Sequence, residues 1–192
     1  EAGRPLLVRY DLERIAASIS KETLARRTEG FWRYREFLPV DGEENCVSLG
    51  EVVTPLIRAP RIEKRLGGAA IIVKDEGRLP TGSFKARGLA LAVAMAKEFG
   101  LHHLAMPTNG NAGAAMAAYA SRVGMKTTIF CPDDTPLVNV EEIALQGGDV
   151  YRVNGLINDC GRIVGEGKEK VGWFDVSTLK EPYRIEGKKT MG

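Results

Sequence analysis

The stretch Pro80-Thr81-Gly82-Ser83-Phe84-Lys85-Ala86-Arg87-Gly88 decides the fold that the sequence predicts. It connects a strand-like segment at residues 70–74 to a long apolar helix predicted at residues 84–99, so it puts Lys85 in the first turn of that helix. A cation there is disfavoured by roughly 0.3–1 kcal/mol, because free N–H groups and the helix dipole make the first turn positive. The same field favours the neutral amine that a nucleophilic lysine needs.

Two other interpretations of this loop have to be weighed. In the first, Ser83 caps the helix and Lys85 is an incidental surface cation. In the second, Gly77 and Gly82 have the separation of a P-loop, but Ser83 stands where that motif needs its lysine, and Ala86 follows Lys85 instead of serine or threonine. The P-loop pattern therefore fails, whereas spacing alone does not decide between a surface lysine and a reactive one.

Helix-like and strand-like segments alternate along the chain after Lys85. The predicted strands cover residues 103–106, 127–131, 149–153 and 173–176, and they follow predicted helices at residues 84–99, 112–123, 137–145 and 157–171. This order predicts βαβ units with a parallel sheet. Ligands bind beyond the carboxyl ends of such strands, so we expect Lys85 and Asn111, which both lie at helix starts, to share one site.

The loop Thr108-Asn109-Gly110-Asn111-Ala112-Gly113 is the second informative segment. By itself it is typical of a glycine-containing turn in which Asn111 caps the next helix. A helix start is also a ready site for an anion, because its first N–H groups have no partner within the helix.

Both segments carry a resemblance to a known family. Lys74-Asp75-Glu76 together with residues 80–88 resembles the lysine signature of the pyridoxal-phosphate enzymes that include threonine synthase, the serine/threonine dehydratases and cysteine synthase. Residues 108–113 resemble the asparagine loop of that superfamily. The resemblance implies an α/β chain of the pyridoxal-phosphate fold type II, with a parallel-sheet βαβ domain and part of a second α/β domain. It divides the chain into residues 1–83, 84–180 and 181–192.

The resemblance also implies roles for individual residues. Lys85 carries pyridoxal 5'-phosphate and acts as the acid and base that moves the Cα proton of the substrate. Phe84 packs near the cofactor, and Asn111 hydrogen-bonds its ring hydroxyl. The substrate carboxylate is bound by Thr108, Asn109, Gly110 and Ala112. Asn109 departs from the serine or threonine that is more usual at its position.

A third segment lies close to the end of the chain. Alone, residues 181–190 are typical of a solvated run of charges. In context, Pro182-Tyr183-Arg184-Ile185-Glu186-Gly187-Lys188-Lys189-Thr190 is similar to the Pro-x-Arg-x-Glu-Gly-x-Lys-Thr motif of threonine synthases. The resemblance implies that Arg184 binds the phosphate of O-phospho-L-homoserine, since a guanidinium matches phosphate with two parallel hydrogen bonds. Glu181 replaces an expected asparagine, and Ser177 and Thr178 stand near an expected asparagine-serine pair, so the exact substrate is in doubt.

These motifs predict a threonine synthase, which converts O-phospho-L-homoserine and water into L-threonine and phosphate. The first alternative is a pyridoxal-phosphate-dependent serine/threonine dehydratase, and the second is a non-catalytic α/β binding domain. The resemblance also implies a glycine-rich loop for the cofactor phosphate and a serine or threonine for the pyridine nitrogen, both after Gly192. The chain is therefore expected to be truncated C-terminally, to be inactive alone, and to form a homodimer when complete.

Composition limits the class of protein further. The 192 residues are 44% hydrophobic with a net charge of +2, and acids and bases are interspersed, so neither a nucleic-acid nor a membrane partner is predicted. Cys46, Cys131 and Cys160 lack C-x-x-C spacing and are predicted to be reduced thiols. With His102 and His103 the only histidines, no metal site is predicted. Because no membrane-length apolar run or signal peptide is seen, the predicted location is cytoplasmic.

Two expectations concern the N-terminal part. Residues 5–10 are predicted to form a short strand, followed by a helix that Asp11 caps. Pro55 and Pro60 are expected to exclude a regular helix around them.

Overall fold

The structure is a computed structural model that describes residues 6–28 and 30–192. Its helices are α1 (Leu12–Ser18), α2 (Lys21–Arg26), α3 (Pro60–Arg65), α4 (Lys85–Glu98), α5 (Asn111–Arg122), α6 (Leu137–Leu145), α7 (Ile157–Lys170) and α8 (Tyr183–Lys188). Its strands are β1 (Leu56–Arg58), β2 (Ile72–Lys74), β3 (His103–Pro107), β4 (Lys126–Pro132), β5 (Asp149–Val153) and β6 (Phe174–Asp175). Short 3₁₀ turns cover Trp32–Phe37, Glu43–Asn45, Glu76–Arg78 and Lys189–Met191.

A four-stranded parallel sheet forms the centre of the fold. Its strands lie in the order β5-β4-β3-β6, and all three pairs are parallel. This confirms the predicted α/β class with a parallel sheet. The sheet is most buried at its centre, where Leu104 and Ala105 of β3 and Ile129 of β4 are completely buried.

Helices α4 and α5 are the most buried elements of the fold. Every residue of α4 from Ala86 to Ala96 is buried, and so is every residue of α5 from Gly113 to Ala120. Both helices are rich in alanine, whose small side chain lets other elements approach closely on several sides. The same apolar cluster includes Phe31, Leu38 and Val47, so it joins the N-terminal segment to these helices.

The N-terminal part differs from two expectations. Pro5 lies outside the described residues, and residues 6–10 form no strand. The helix that follows is present, with Arg14 N donating to Asp11 Oδ1 at 2.9 Å. Pro60 does not exclude a helix but begins α3, because the first turn does not need the N–H that proline lacks.

Strands β1 and β2 form a separate antiparallel pair in which Ile57 lies opposite Val73. Ile57 is 47% exposed and Val73 is 48% exposed. Within the described residues, no helix is both long and apolar enough to cross a bilayer. That part of the chain also contains no group of three or more histidine, cysteine or acidic residues arranged to hold a metal ion.

Candidate active site

A cleft of about 490 Å³ lies beyond the carboxyl end of β3, between the starts of α4 and α5. The arrangement follows from the parallel sheet, since each strand delivers the chain to the same edge before the next helix begins. Twelve described residues line the cleft, namely Lys85, Met106, Pro107, Thr108, Asn109, Gly110, Asn111, Ala112, Asn139, Ile157, Thr178 and Arg184. Two of these twelve residues are cationic and none is acidic, so the cleft suits an anionic ligand.

Lys85 is the first residue of α4, as the sequence predicts. Its side chain is half-buried, and Nζ lies 4.3 Å from the centroid of the Phe84 ring. Burial lowers the pKa of Lys85, and the nearby charges of Lys188 and Arg184 lower this pKa further. Ser83 Oγ accepts only a long hydrogen bond of 3.4 Å from Lys85 N. Lys85 is therefore not a fully solvated surface cation, and Ser83 contributes little to capping the helix.

The loop between β3 and α5 is held together by the hydroxyl of Thr108. Thr108 Oγ1 accepts from Gly110 N at 3.1 Å and from Gly113 N at 3.2 Å, and it donates to Gly110 O at 3.1 Å. These bonds give acceptors to two backbone N–H groups at the start of α5. In this structure, the Thr108 hydroxyl and the Gly110 amide thus bond within the loop. The N–H groups of Asn111 and Ala112, in the first turn of α5, face no intrahelical acceptor.

Asn111 begins α5, and Gly110 precedes it as the capping position. The interpretation of Asn111 as the helix cap is therefore not what the structure shows. Asn139 of α6 supports the loop from outside, with Nδ2 3.4 Å from Asn109 O. A Cβ atom at Gly110 would lie 2.8 Å from that same Nδ2, so a larger residue at this position would displace the Asn139 side chain.

Arg184 of α8 lies on the other side of the cleft and is only 3% exposed. Its Nη1 donates to Val176 O at 2.8 Å, whereas buried Nε has no hydrogen-bond partner among the described residues. Burial lowers the pKa of Arg184, opposed by the charges of Glu181 and Asp175. A buried donor without an acceptor is costly, so an anion in the cleft would supply a bond that the chain itself leaves open.

Glu181 does not face the cleft. Its Oε2 accepts from Arg184 N at 3.0 Å, so the carboxylate is turned toward the backbone at the start of α8. Burial raises the pKa of Glu181. The acid that the sequence puts near a predicted phosphate site therefore does not line that site. Thr178 does line it.

A cluster around buried Arg87 fixes α4 to segments that precede it and follow it in the chain. Arg87 Nε donates to Glu76 Oε2 at 2.5 Å, and Arg87 Nη1 donates to Thr190 Oγ1 at 3.0 Å. Arg87 Nη2 lies 3.3 Å from Thr54 Oγ1, which itself donates to Glu76 Oε1 at 2.7 Å. Because Arg87 is two residues after Lys85, this cluster anchors the turn that presents the Lys85 amine.

The structure brings seven of the eight predicted site residues into one cleft. The exception is Phe84, which contacts the side chain of Lys85 without lining the cleft. The individual roles of these residues stay predictions. Sequence reasoning did not select Asn139, Ile157 or the apolar floor at Met106 and Pro107 as site residues, because only the tertiary structure brings α6, α7 and β3 to the same place.

The chain matches the family model described as "Pyridoxal-phosphate dependent enzyme" over residues 47–192. It is 39% identical to a threonine synthase of Methanocaldococcus jannaschii over all of this chain and 47% of that protein. It is 40% identical to a threonine synthase of Halalkalibacterium halodurans, over 82% of this chain and 44% of that protein. The chain therefore spans about half the length of the curated relatives it matches.

The fold is also similar to that of solved structures. A diaminopropionate ammonia lyase from Escherichia coli, in complex with a reaction intermediate, superposes with a TM-score of 0.69. The match covers 81% of this chain and 49% of that one, and the two sequences are 20% identical. At this identity the similarity concerns the fold alone.

Proposed function

Because this chain belongs to the pyridoxal-phosphate dependent enzymes, we propose that the whole protein is a threonine synthase acting on O-phospho-L-homoserine. The observation that supports this most is the position of Arg184. It lies in the same cleft as Lys85, and its buried Nε lacks an acceptor within residues 6–28 and 30–192. A guanidinium in that situation suits a phosphate group, whereas a dehydratase acting on a plain hydroxy amino acid has no such group to bind.

The cofactor of this family is pyridoxal phosphate, and the fold is that of its fold type II members. The residues of the cleft fit such a group. The amine of Lys85 has a lowered pKa, as a lysine that binds an aldehyde requires, and the cleft has a volume of about 490 Å³. Lys85, Phe84 and Asn111 would hold the cofactor. When bound, pyridoxal phosphate withdraws electrons from the substrate Cα and so makes its proton acidic.

The remaining chemistry belongs to side chains and amides of this chain. Nζ of Lys85 would accept the proton from Cα and return it later, for which a free amine is needed. Asn109 and the amides of Asn111 and Ala112 would bind the substrate carboxylate at the start of α5. Arg184 would hold the phosphate and stabilise its negative charge as the bond to Cγ breaks. A Cβ proton would also be removed, and the electron pair of that Cβ–H bond would expel phosphate from Cγ. Water would then add its hydroxyl at Cβ, and a proton would be added at Cγ, which gives threonine.

A direct assay on the whole protein tests this proposal. We expect phosphate release from O-phospho-L-homoserine together with L-threonine formation. Serine and threonine are offered in parallel, with ammonia as the product measured. Ammonia release from these amino acids, with no phosphate release from O-phospho-L-homoserine, would identify a dehydratase instead. Absence of both reactions together with absence of cofactor absorbance would favour the non-catalytic binding domain.

The role of Lys85 is tested by Lys85→Ala in the whole protein. This variant should lose the visible absorbance of the bound cofactor and lower phosphate release by about 10²–10⁴-fold, since it removes the acid-base group. Lys180→Ala serves as the control, because Lys180 is exposed and does not line the cleft. If the Lys85→Ala protein keeps the absorbance band, Lys85 is not the cofactor lysine.

Three further predictions belong to the whole protein. They are a homodimeric assembly, a cytoplasmic location, and the division at residues 83/84 and 180/181. Each follows from the resemblance to the family and is proposed on that basis.

A further inference from the structure

Helix α8 crosses the start of α4 at a very short distance. A Cβ atom at Gly88 would lie 2.8 Å from Arg184 O, and a Cβ atom at Gly187 would lie 2.2 Å from Arg87 O. Two glycines therefore face each other at the crossing and let the backbones touch. This contact carries the side chains of α8 next to the first turn of α4, where Lys85 is located.

Two cations of α8 lie on this same side. Arg184 and Lys188 are four residues apart and therefore lie one above the other on the helix surface. Nζ of Lys188 is 6.0 Å from the centroid of the Phe84 ring, and Nζ of Lys85 is 4.3 Å from that centroid. The two lysine side chains are thus directed at one aromatic ring, and both are partly buried.

The charges around these amines are mostly of one sign. Lys188 and Arg184, both on α8, are the charged groups that act on Lys85. Burial and the charge of Arg184 lower the pKa of Lys188 in turn, whereas the charge of Glu181 raises it. The Glu181 carboxylate accepts a hydrogen bond from the backbone N–H of Arg184. On α4 itself, Arg87 is paired with Glu76 away from this cluster. The positive end of the α4 dipole adds to the same field at Lys85.

We propose that Lys188 is a positioning residue that acts through Lys85 and disfavours protonation of its Nζ atom. The inference rests on the proposed function, in which that amine reacts. Lys188 occupies a position that the Pro-x-Arg-x-Glu-Gly-x-Lys-Thr motif leaves open, so the motif itself assigns it no role. A positive charge held beside a second amine disfavours protonation of that amine, and partial burial strengthens the effect by reducing screening.

The test measures the protonation of Lys85 directly and needs no catalytic activity. The whole protein, freed of cofactor, is labelled with a trace of acetic anhydride over a range of pH, and mass spectrometry follows the peptide that contains Lys85. Three variants are compared with the unmodified protein. Lys188→Met removes the charge at similar volume, Lys188→Arg retains it, and Lys189→Met is the control. Lys189 is suitable because its Nζ pairs with Glu186 at 2.6 Å and lies 3.8 Å from the Tyr10 ring centroid, directed at other partners.

We expect the labelling curve of Lys85 to move to higher pH in Lys188→Met, with a several-fold loss of labelling near neutral pH. The curve should stay in place in Lys188→Arg and in Lys189→Met. An unchanged curve in a folded Lys188→Met protein overturns the inference, and so does an equal shift in Lys189→Met, which would indicate a general effect of net charge. Should Lys188→Met fail to fold, Lys188→Gln is read in its place by the same criteria.

The assay for phosphate release separates this inference from the proposed function. A shifted curve in a protein that releases no phosphate would leave the role of Lys188 standing and reject the threonine synthase. An unchanged curve in a protein that does release phosphate would reject the role of Lys188 and leave the threonine synthase standing.

Discussion

At the scale of single residues, Arg87 shows how a buried charge is satisfied by several partners at once. It is 3% exposed and carries a charge that is stable only with partners. Glu76 supplies the opposite charge, while Thr54 and Thr190 supply neutral acceptors. The hydrogen bonds of this cluster use most of the directions in which a guanidinium can donate. The amine of Lys85 is therefore presented by a turn whose next helical residues cannot move freely.

Glu76→Gln should destabilise the fold by about 3 kcal/mol, because it leaves the buried charge of Arg87 without its counter-charge. Denaturant unfolding of the purified chain measures this. Glu166→Gln is the control, since Glu166 forms exposed pairs with Arg162 and Lys170 on α7, and such pairs contribute about 0–1 kcal/mol. Equal losses in both variants would contradict the importance of the buried cluster.

The ion pair of Glu76 and Arg87 also predicts how the stability loss in Glu76→Gln depends on pH. Burial by itself would raise the pKa of Glu76, but hydrogen bonds from Arg87 and Thr54 outweigh it and hold the pKa below the ordinary 4.5. A carboxylate with a lowered pKa stabilises the fold fully above its unfolded pKa, and that stabilisation is lost as the pH falls through the folded pKa. The stability gap between the unmodified chain and Glu76→Gln should therefore be constant near neutral pH and shrink below about pH 4.

At the scale of elements, the crossing of α4 and α8 decides where Arg184, the proposed phosphate ligand, lies. Gly88 and Gly187 leave the two backbones in contact, and Arg184 and Lys188 extend from the same helix. The positions of Arg184 and Lys188 thus depend on glycine, which has no side chain, at both contact points of the crossing. A helix of only six residues gains little stability from its own hydrogen bonds, so α8 depends on this contact.

Gly88→Ala should cost about 1–3 kcal/mol, because the new methyl group must displace the backbone of α8. It should also weaken phosphate binding by moving Arg184. Gly165→Ala on α7 is the matched control. Among the residues that the structure describes, none lies within 4 Å of a Cβ atom at this position, so this variant should gain up to about 1 kcal/mol from higher helix propensity. Thermal unfolding measures the stability of both variants. A Gly88→Ala protein as stable as the unmodified chain would contradict the close crossing of α4 and α8.

The elements of the α/β half were largely predictable from the sequence, because periodicity of apolar residues is a local property. The predicted bounds of α6 and β5 agree with the structure, and those of α4, α5 and β3 differ from it by one or two residues. The position of β6 beside β3 and the position of Lys188 beside Phe84 could not be predicted, because both arise from tertiary packing.

At the scale of the whole molecule, two unequal parts can be distinguished. The parallel sheet is covered by helices, whereas the β1–β2 pair leaves Leu56, Ile57, Ile72 and Val73 exposed. Both of these strands are edges within the described residues. Exposed apolar edge strands favour pairing with other chains, so this pair is the surface at which the chain is expected to associate.

Val73→Lys should reduce self-association of the 192-residue chain while changing its unfolding free energy by less than about 0.5 kcal/mol. Val73 is exposed and lies opposite Ile57, so a lysine there interrupts the apolar face without entering the core. Light scattering at increasing concentration measures the effect. Val171→Lys, at an exposed position after α7, controls for net charge. If this variant reduced self-association equally, the β1–β2 pair would not be the surface of association.

The Arg87 cluster has one more consequence. Its bonds connect the helix to partners 33 residues earlier and 103 residues later in the chain. The Arg87 side chain thus closes two large loops of the chain. The conformational entropy that the chain loses on closing both loops is lost together when this cluster forms. Detachment of the segment around Thr54 or of the segment around Thr190 removes an acceptor from the same guanidinium and weakens its hold on the other segment. These two segments are therefore expected to open as one cooperative unit rather than independently.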